Sequence, residues 1–412
     1  MEAKQINVVY ANANSLFDYT NGASKSIKLI LEELASNGCG VFAITGCSSN
    51  AKGGYDFTLK KWESVANSEG SERSILQRFI VNGVNYSLIR TGHWSRNFLA
   101  ALEQEYIYRE ASSILEKVSQ ASSSNLFLGW GSLLLEEAMF LKAKSPNIST
   151  CFYLVNPSYK GGECLFLERS DFVITDSIST KQLYMNERSE GVYVLPKCVE
   201  KPGIVVDPFD RYEFQRLTLV NPSLKKGLAP FIEIARHFEK VKPSLEFHLV
   251  DARNGLSKHL KRLGEDIDSL PKNILVDDGD PSVDAMLSKT SILLLLSLWH
   301  ESGSRLIHES HLRGIPVLGF RVGGNAQLLR EFGDQDLFDL PSIDDTYCCN
   351  GGWKAWAKES MCIRIESLIS NKSFYADYSE KVSEKASRLL ASNNAYAAKE
   401  ITSLVEKYSM IK

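Results

Sequence analysis

The chain has no run of eighteen uninterrupted apolar residues, no Cys-x-x-Cys pair and no surplus of either charge. Each absence excludes something. Without a long apolar run no membrane-spanning helix is expected. The eight cysteines, at 39, 47, 151, 164, 198, 348, 349 and 362, are scattered over 412 residues, which argues against a disulfide scaffold or a structural zinc site and fits a reduced compartment. Forty-seven basic against 50 acidic residues give a net charge of −3, so there is no global electrostatic pull toward nucleic acid. The start, Met1-Glu2-Ala3-Lys4-Gln5-Ile6-Asn7, carries no cationic segment leading into an apolar one, and a cytoplasmic protein is expected. Peripheral membrane contact through a surface patch stays open, as does the oligomeric state.

Present instead is an ordinary globular composition, 44% hydrophobic and 24% charged, on a chain long enough for two cores. Ile6 to Ala11 forms an apolar run, followed by a polar loop and Gly22-Ala23-Ser24. Ile27, Ile30, Leu31 and Leu34 then recur at helical spacing until Asn37-Gly38. With Val41 to Thr45 as the next strand, this opening predicts a β-α-β unit with parallel pairing. Further strands are expected at Leu126 to Gly129, Thr150 to Val155, Asp171 to Ser177 and Val192 to Pro196, and a strand-rich embellishment between residues 48 and 100. The Pro/Gly-containing stretch from Lys201 to Pro208 reads as a linker. Beyond it, strands are expected at Leu217 to Val220, Leu245 to Val250, Ile274 to Val276, Ile292 to Leu296 and Pro316 to Gly319, and the last sixty residues are helical in pattern. The alternation predicts an α/β protein with two doubly wound, Rossmann-like parallel sheets.

In such sheets ligands bind beyond the carboxyl ends of the strands. The richest loop there is Trp299-His300-Glu301-Ser302-Gly303-Ser304-Arg305, with Glu309 further on. Gly303-Ser304 can open a helix whose amides face an anion such as a diphosphate, and Gly314 can stop it. A carboxylate accepts hydrogen bonds from two neighbouring hydroxyls, so one of Glu301 and Glu309 could hold a ribose and the other a sugar. The alternative is a helix-surface ion pair for Glu309 and a solvated first-turn acid for Glu301. Asp278-Gly279-Asp280 spells an acid-x-acid string of the kind that can hold a divalent ion but is common in turns, and His308 and His311 lack a nearby third ligand. No metal and no cofactor is expected.

The stretch from Ser291 to Leu329 resembles the retaining GT-B glycosyltransferases of family 4, whose mark is two glutamates with seven residues between them. Ser297, Trp299 to Glu301, Gly303 to Arg305, Glu309, Gly314 to Val317 and Gly323-Gly324 follow the family's order. Upstream, Asn221-Pro222-Ser223-Leu224-Lys225-Lys226-Gly227 is similar to the family's donor-phosphate segment, and Asn21-Gly22-Ala23-Ser24 to its first-domain loop. The resemblance implies two domains facing across a cleft, residues 1–200 on the acceptor side and 201–412 binding the nucleotide-sugar, with C-terminal helices free to pack back on the first domain. It implies Glu301, Lys226 and Arg305 as catalytic residues. Donor contacts would come from Gly22, Ala23, Asn221, Lys225, Lys226, Ser302, Gly303, Ser304, Arg305 and Glu309.

The implied activity is transfer of a sugar, with retained configuration, from a UDP-sugar in preference to a GDP-sugar. The acceptor stays open among glycan, lipid-linked, protein and small-molecule hydroxyls. Three departures stand out. Asn221 occupies the place of a usual arginine, Gly129-Trp130-Gly131-Ser132 that of a usual histidine for which His93 is a substitute, and Gln327 that of a frequent glutamate. The missing arginine and histidine keep a non-catalytic GT-B partner subunit in view, and another GT-B activity, a nucleotide-sugar epimerase or a phosphorylase, is the rival among enzymes.

Overall fold

The computed structural model describes residues 6–49, 75–90, 96–121, 124–130, 147–155, 165–184, 190–277, 282–342, 347 and 355–411. The chain divides into two compact units, Met1–Cys198 with Ser392–Lys412, and Val199–Ala391.

The first unit opens as the apolar periodicity dictates, with β1 (Asn7–Asn14), α1 (Gly22–Ser36) and β2 (Gly40–Ser48), the two strands parallel. Asn21 caps α1, its side chain accepting from the amides of Ala23 and Ser24. There follow β3 (Leu76–Val81), β4 (Val84–Ile89), α2 (Arg96–Ala121), β5 (Asn125–Gly129), β6 (Ile148–Leu154), α3 (Leu165–Arg169), β7 (Phe172–Thr175), α4 (Ile178–Tyr184) and β8 (Val192–Val194). The sheet order is β3-β4-β2-β1-β5-β6-β7-β8. Only the β3–β4 pair is antiparallel among the described strands. It sits at the sheet edge, in the expected embellishment.

Because side chains alternate across a strand, the sheet makes two cores. Val8, Tyr10, Leu126 and Leu128 face α1, whereas Val9, Ala11 and Phe127 face Ile107, Ala111, Leu115 and Val118 of α2. Both faces are thereby covered, as parallel sheets require.

The second unit contains α5 (Pro208–Glu213), β9 (Arg216–Val220), α6 (Leu228–Val241), β10 (Glu246–Val250), α7 (Leu256–Arg262), β11 (Ile274–Asp277), α8 (Val283–Leu287) and β12 (Ile292–Leu295). It continues with α9 (Arg305–His311), β13 (Val317–Phe320), α10 (Gly323–Arg330), β14 (Leu337–Phe338), α11 (Ala355–Ile369) and α12 (Lys372–Leu390). Its parallel sheet runs β11-β10-β9-β12-β13-β14. Leu217, Leu219, Phe247, Leu249 and Leu294 pack with α6 and α11, while Leu293, Leu295 and Val317 pack with Ile307 and Leu328.

The last helix, α13 (Asn393–Ile411), returns to the first unit, where Ala397, Ala398, Ile401, Leu404 and Val405 complete the α1-side core. Phe172 and Tyr408 stack there at 5.3 Å. Among the described residues no helix is long and apolar enough to cross a membrane.

Candidate functional site

In the second sheet, successive strands run outward in one direction from β9 and in the other from β12, and these two strands are neighbours. Their carboxyl ends flank the point where the winding reverses, the place where an open α/β sheet leaves a crevice for a ligand. Most of the expected site residues lie in the two loops that leave it.

The loop after β9 is shaped by its backbone. Asn221 adopts a left-handed conformation (φ 53°), which asparagine tolerates better than most residues, and its amide donates to the Val250 carbonyl at 2.8 Å. Gly227, at φ 83°, starts α6 so close to β12 that a Cβ there would lie 2.0 Å from the Leu296 carbonyl oxygen. Only glycine lets helix and strand end approach this far. The consequence is a contact across 75 residues of sequence: Lys226 Nζ lies 2.5 Å from Glu301 Oε1.

Glu301 is built in from several sides. It is 8% exposed, and the Ser297 hydroxyl donates to the same oxygen as Lys226. Burial alone would raise its carboxyl pKa, but the Lys226 charge and hydrogen bond, with Ser297 and the nearby Asn325 amide, hold it below the ordinary range. The Gly324 amide donates to the Glu301 carbonyl at 2.7 Å, and Asn325 Oδ1 accepts from the Ser304 amide at 2.7 Å. The Gly323-Gly324 turn thus fastens the loop from behind.

Arg305 and Glu309 meet one helical turn apart on α9. Arg305 Nε and Nη2 donate to Glu309 Oε1 at 3.2 and 3.0 Å, and the side chains are only 4% and 8% exposed. This is an interior ion pair rather than a solvated surface one. The expected cations and acids therefore come together as two pairs, Lys226 with Glu301 and Arg305 with Glu309. Ser302 is buried, Gly303 turns the chain at φ 145°, and Ser304 precedes α9 with its own amide committed to Asn325.

Lys225 takes another course. Its ammonium lies 5.1 Å from the ring centroids of both Trp299 and Tyr347, held by two aromatic faces. Two polar atoms of these loops, Trp299 Nε1 and Asn221 Oδ1, are buried without a hydrogen-bond partner.

Gly22 and Ala23 lie in the first unit, at the start of α1, where the Ala23 amide already donates to Asn21 Oδ1 at 3.1 Å. His308 and His311 are buried in α9. Burial, with His308 and Lys385 nearby, lowers the His311 pKa well below its usual value. No group of three or more His, Cys, Asp or Glu residues suited to a metal occurs among the described residues. Asp278, Asp280 and His93 lie outside the described residues.

The sequence motif assigns no role to Asn325 or to the Ser297 hydroxyl, although both stand in the motif-bearing stretch. Nor does it mark Trp299 and Tyr347 as a clamp on Lys225. Tyr347, 122 residues away from that lysine, left no local signal.

No family model and no curated protein sequence matches the chain. Solved structures do. Anabaena HepE in complex with UDP-glucose is 14% identical with a TM-score of 0.65, the match covering 97% of this chain and 100% of that one. Sucrose-phosphate synthase from Thermosynechococcus elongatus is 12% identical with a TM-score of 0.65 (99% and 100% covered). The catalytic domain of Arabidopsis thaliana starch synthase IV, bound to ADP and acarbose, is 10% identical with a TM-score of 0.64 (99% and 100% covered). The fold is that of the GT-B glycosyltransferases.

Proposed function

We propose that the chain is a retaining glycosyltransferase that moves a sugar from a nucleotide-sugar, a UDP-sugar in preference to a GDP-sugar, to a hydroxyl acceptor without a resident metal. The observation that carries the reading is the Lys226–Glu301 contact at the winding reversal of the second sheet. Similarity to HepE, which was solved with UDP-glucose, supports a UDP-sugar.

In the proposed reaction the bond from the anomeric carbon to the diphosphate breaks, and its electron pair leaves on the phosphate oxygen. The acceptor oxygen bonds on the same face and its proton passes to that departing oxygen, so configuration is kept. The demand on the protein is to stabilise leaving-group charge. Lys226, the more exposed member of its pair, is placed to pass from Glu301 to the diphosphate, leaving Glu301 to orient sugar hydroxyls. Glu309 grips the ribose, with Arg305 beside it adding positive charge at the α9 start. Gly303 and Ser304 bring that helix end to the diphosphate, and Asn221, Lys225 and Ser302 line its approach.

Asn221 in place of a cation favours a second reading, a GT-B subunit that binds donor without turnover. A thermal-shift series with UDP- and GDP-sugars, followed by product analysis against an acceptor panel, separates them. A ligand at a hundred times its dissociation constant adds about 2.7 kcal/mol. Stabilisation by a UDP-sugar, chelator-resistant transfer and a retained anomer are expected. Stabilisation with no product favours the second reading, and no stabilisation by any nucleotide-sugar ends both.

A further inference from the structure

We propose that Asp284 and Arg313 are positioning residues that tie the start of the second unit to the backbone of Glu309, and so set the aim of the carboxylate that reads the nucleoside. The inference rests on the proposed donor role of Glu309.

The helix α9 has seven residues, and its end must satisfy its own carbonyls. The His308, Ser310 and His311 carbonyls receive backbone amides from Leu312, Arg313, Gly314 and Ile315. The Glu309 carbonyl instead accepts from a side chain, Arg313 Nη1, at 2.6 Å. Arg313 is 5% exposed, and its remaining nitrogens go to Asp284 on α8, Nε at 3.1 Å and Nη2 to the same carboxylate oxygen.

Asp284 in turn accepts from the main chain that opens the second unit. The Gly203 amide lies 3.2 Å from each of its oxygens, and the Ile204 amide 3.3 Å from Oδ1. A Cβ at residue 203 would come within 2.8 Å of Asp284 Oδ2. The carboxylate therefore joins three segments at once. Alternating charges run from Asp284 to Arg313, through the Glu309 backbone to the Glu309 carboxylate, and on to Arg305.

A simple C-terminal cap would need only a cation near the last carbonyls. It would not need that cation's other nitrogens to hold a carboxylate that itself holds residues 203 and 204. Small displacements of a binding group are costly to recognition, and this arrangement fixes Glu309 from behind while its carboxylate faces Arg305.

Steady-state kinetics with a UDP-sugar and binding of UDP are measured for wild type, Asp284→Ala, Asp284→Asn, Gly203→Ala, the Asp284→Ala/Gly203→Ala double variant and Lys201→Ala as an exposed control. Asp284→Ala should raise the donor KM and the UDP dissociation constant about tenfold while kcat stays within about twofold. Gly203→Ala should act in the same direction, and the double variant should be no worse than Asp284→Ala alone. Asp284→Asn, which still accepts from both amides, should fall between wild type and alanine.

Unchanged KM and UDP affinity in folded Asp284→Ala, equal losses in kcat and 1/KM, or independent additive effects of the two sites would each overturn the proposal. Wild-type protein that binds no UDP would instead overturn the donor role of Glu309. Amide exchange at residues 309–315 then decides the tie itself, with faster, non-additive exchange in the same variants expected and unchanged exchange overturning it.

Discussion

Each unit carries a lysine–carboxylate pair beyond the carboxyl ends of its parallel strands, one at a sheet edge and one at the winding reversal, and the two differ in access to water. In the first unit Lys197 pairs with Asp176 after β8 and β7, with side chains only 4% and 2% exposed, and Tyr153 donates its hydroxyl to the same carboxylate at 2.5 Å. In the second, Lys226 and Glu301 are 30% and 10% exposed. A sealed pair can only hold the structure together, because removing either partner strands a charge in the interior. A pair whose lysine meets solvent can exchange its partner for a ligand. A lysine–carboxylate pair thus serves structure at the edge of one sheet and suits binding at the winding reversal of the other.

The sharpest way to break this contrast is at the sealed pair. Lys197→Ala should destabilise the first unit by about 3–5 kcal/mol in urea unfolding, with transfer per folded molecule unchanged. Normal stability with lost transfer would reverse the assignment. Lys226→Ala should act mainly on function, reducing transfer per folded molecule by about 10²-fold, and because its partner Glu301 is itself buried, stability should fall too, by less than at the sealed pair. Near wild-type rates would remove the diphosphate role.

Acid sharpens the second pair further. The Glu301 carboxyl is held low in the folded protein, so its contribution to stability is present above the ordinary carboxylate range and is lost as pH falls through the lowered value. Lys226→Ala removes the main cause of the lowering. Its acid-unfolding transition should move to higher pH in a circular-dichroism titration, and an unmoved transition would show that the ion pair does not govern it. The smallest effect is expected at the α1 cap. Asn21→Ala should cost about 1 kcal/mol in thermal unfolding. An unchanged melting temperature would show that the cap bond contributes nothing to the helix.

The fold was legible where local chemistry and tertiary demand agree. Ile27, Ile30, Leu31 and Leu34 announce α1, and all are buried. The runs at Leu217, Phe247 and Leu294 announce strands that lie in the interior of the second sheet. The 26-residue α2 was not foreseen, because its core-facing Ile107, Ala111, Leu115 and Val118 form a thin stripe in a largely polar segment. At the site, residue types and order were legible but pairings were not. Nothing local to Lys225 and Lys226 says that one turns to two aromatic rings and its neighbour to Glu301. That choice is made by Gly227, whose lack of a side chain decides how closely α6 approaches β12. Likewise the Ala23 amide looks available in sequence, and only the cap geometry shows it donating to Asn21.

The return of α13 to the first unit has a consequence for biosynthesis. Residues 392–412 are translated after the whole of the second unit, yet they supply Ala397, Ile401, Leu404 and Val405 to the core around β1 and α1. The half that emerges first from the ribosome is the half that is finished last. Until that helix docks, nascent chains expose the apolar flank it will cover, and a ribosome stalled anywhere in the second unit leaves a product for chaperones and proteases to find.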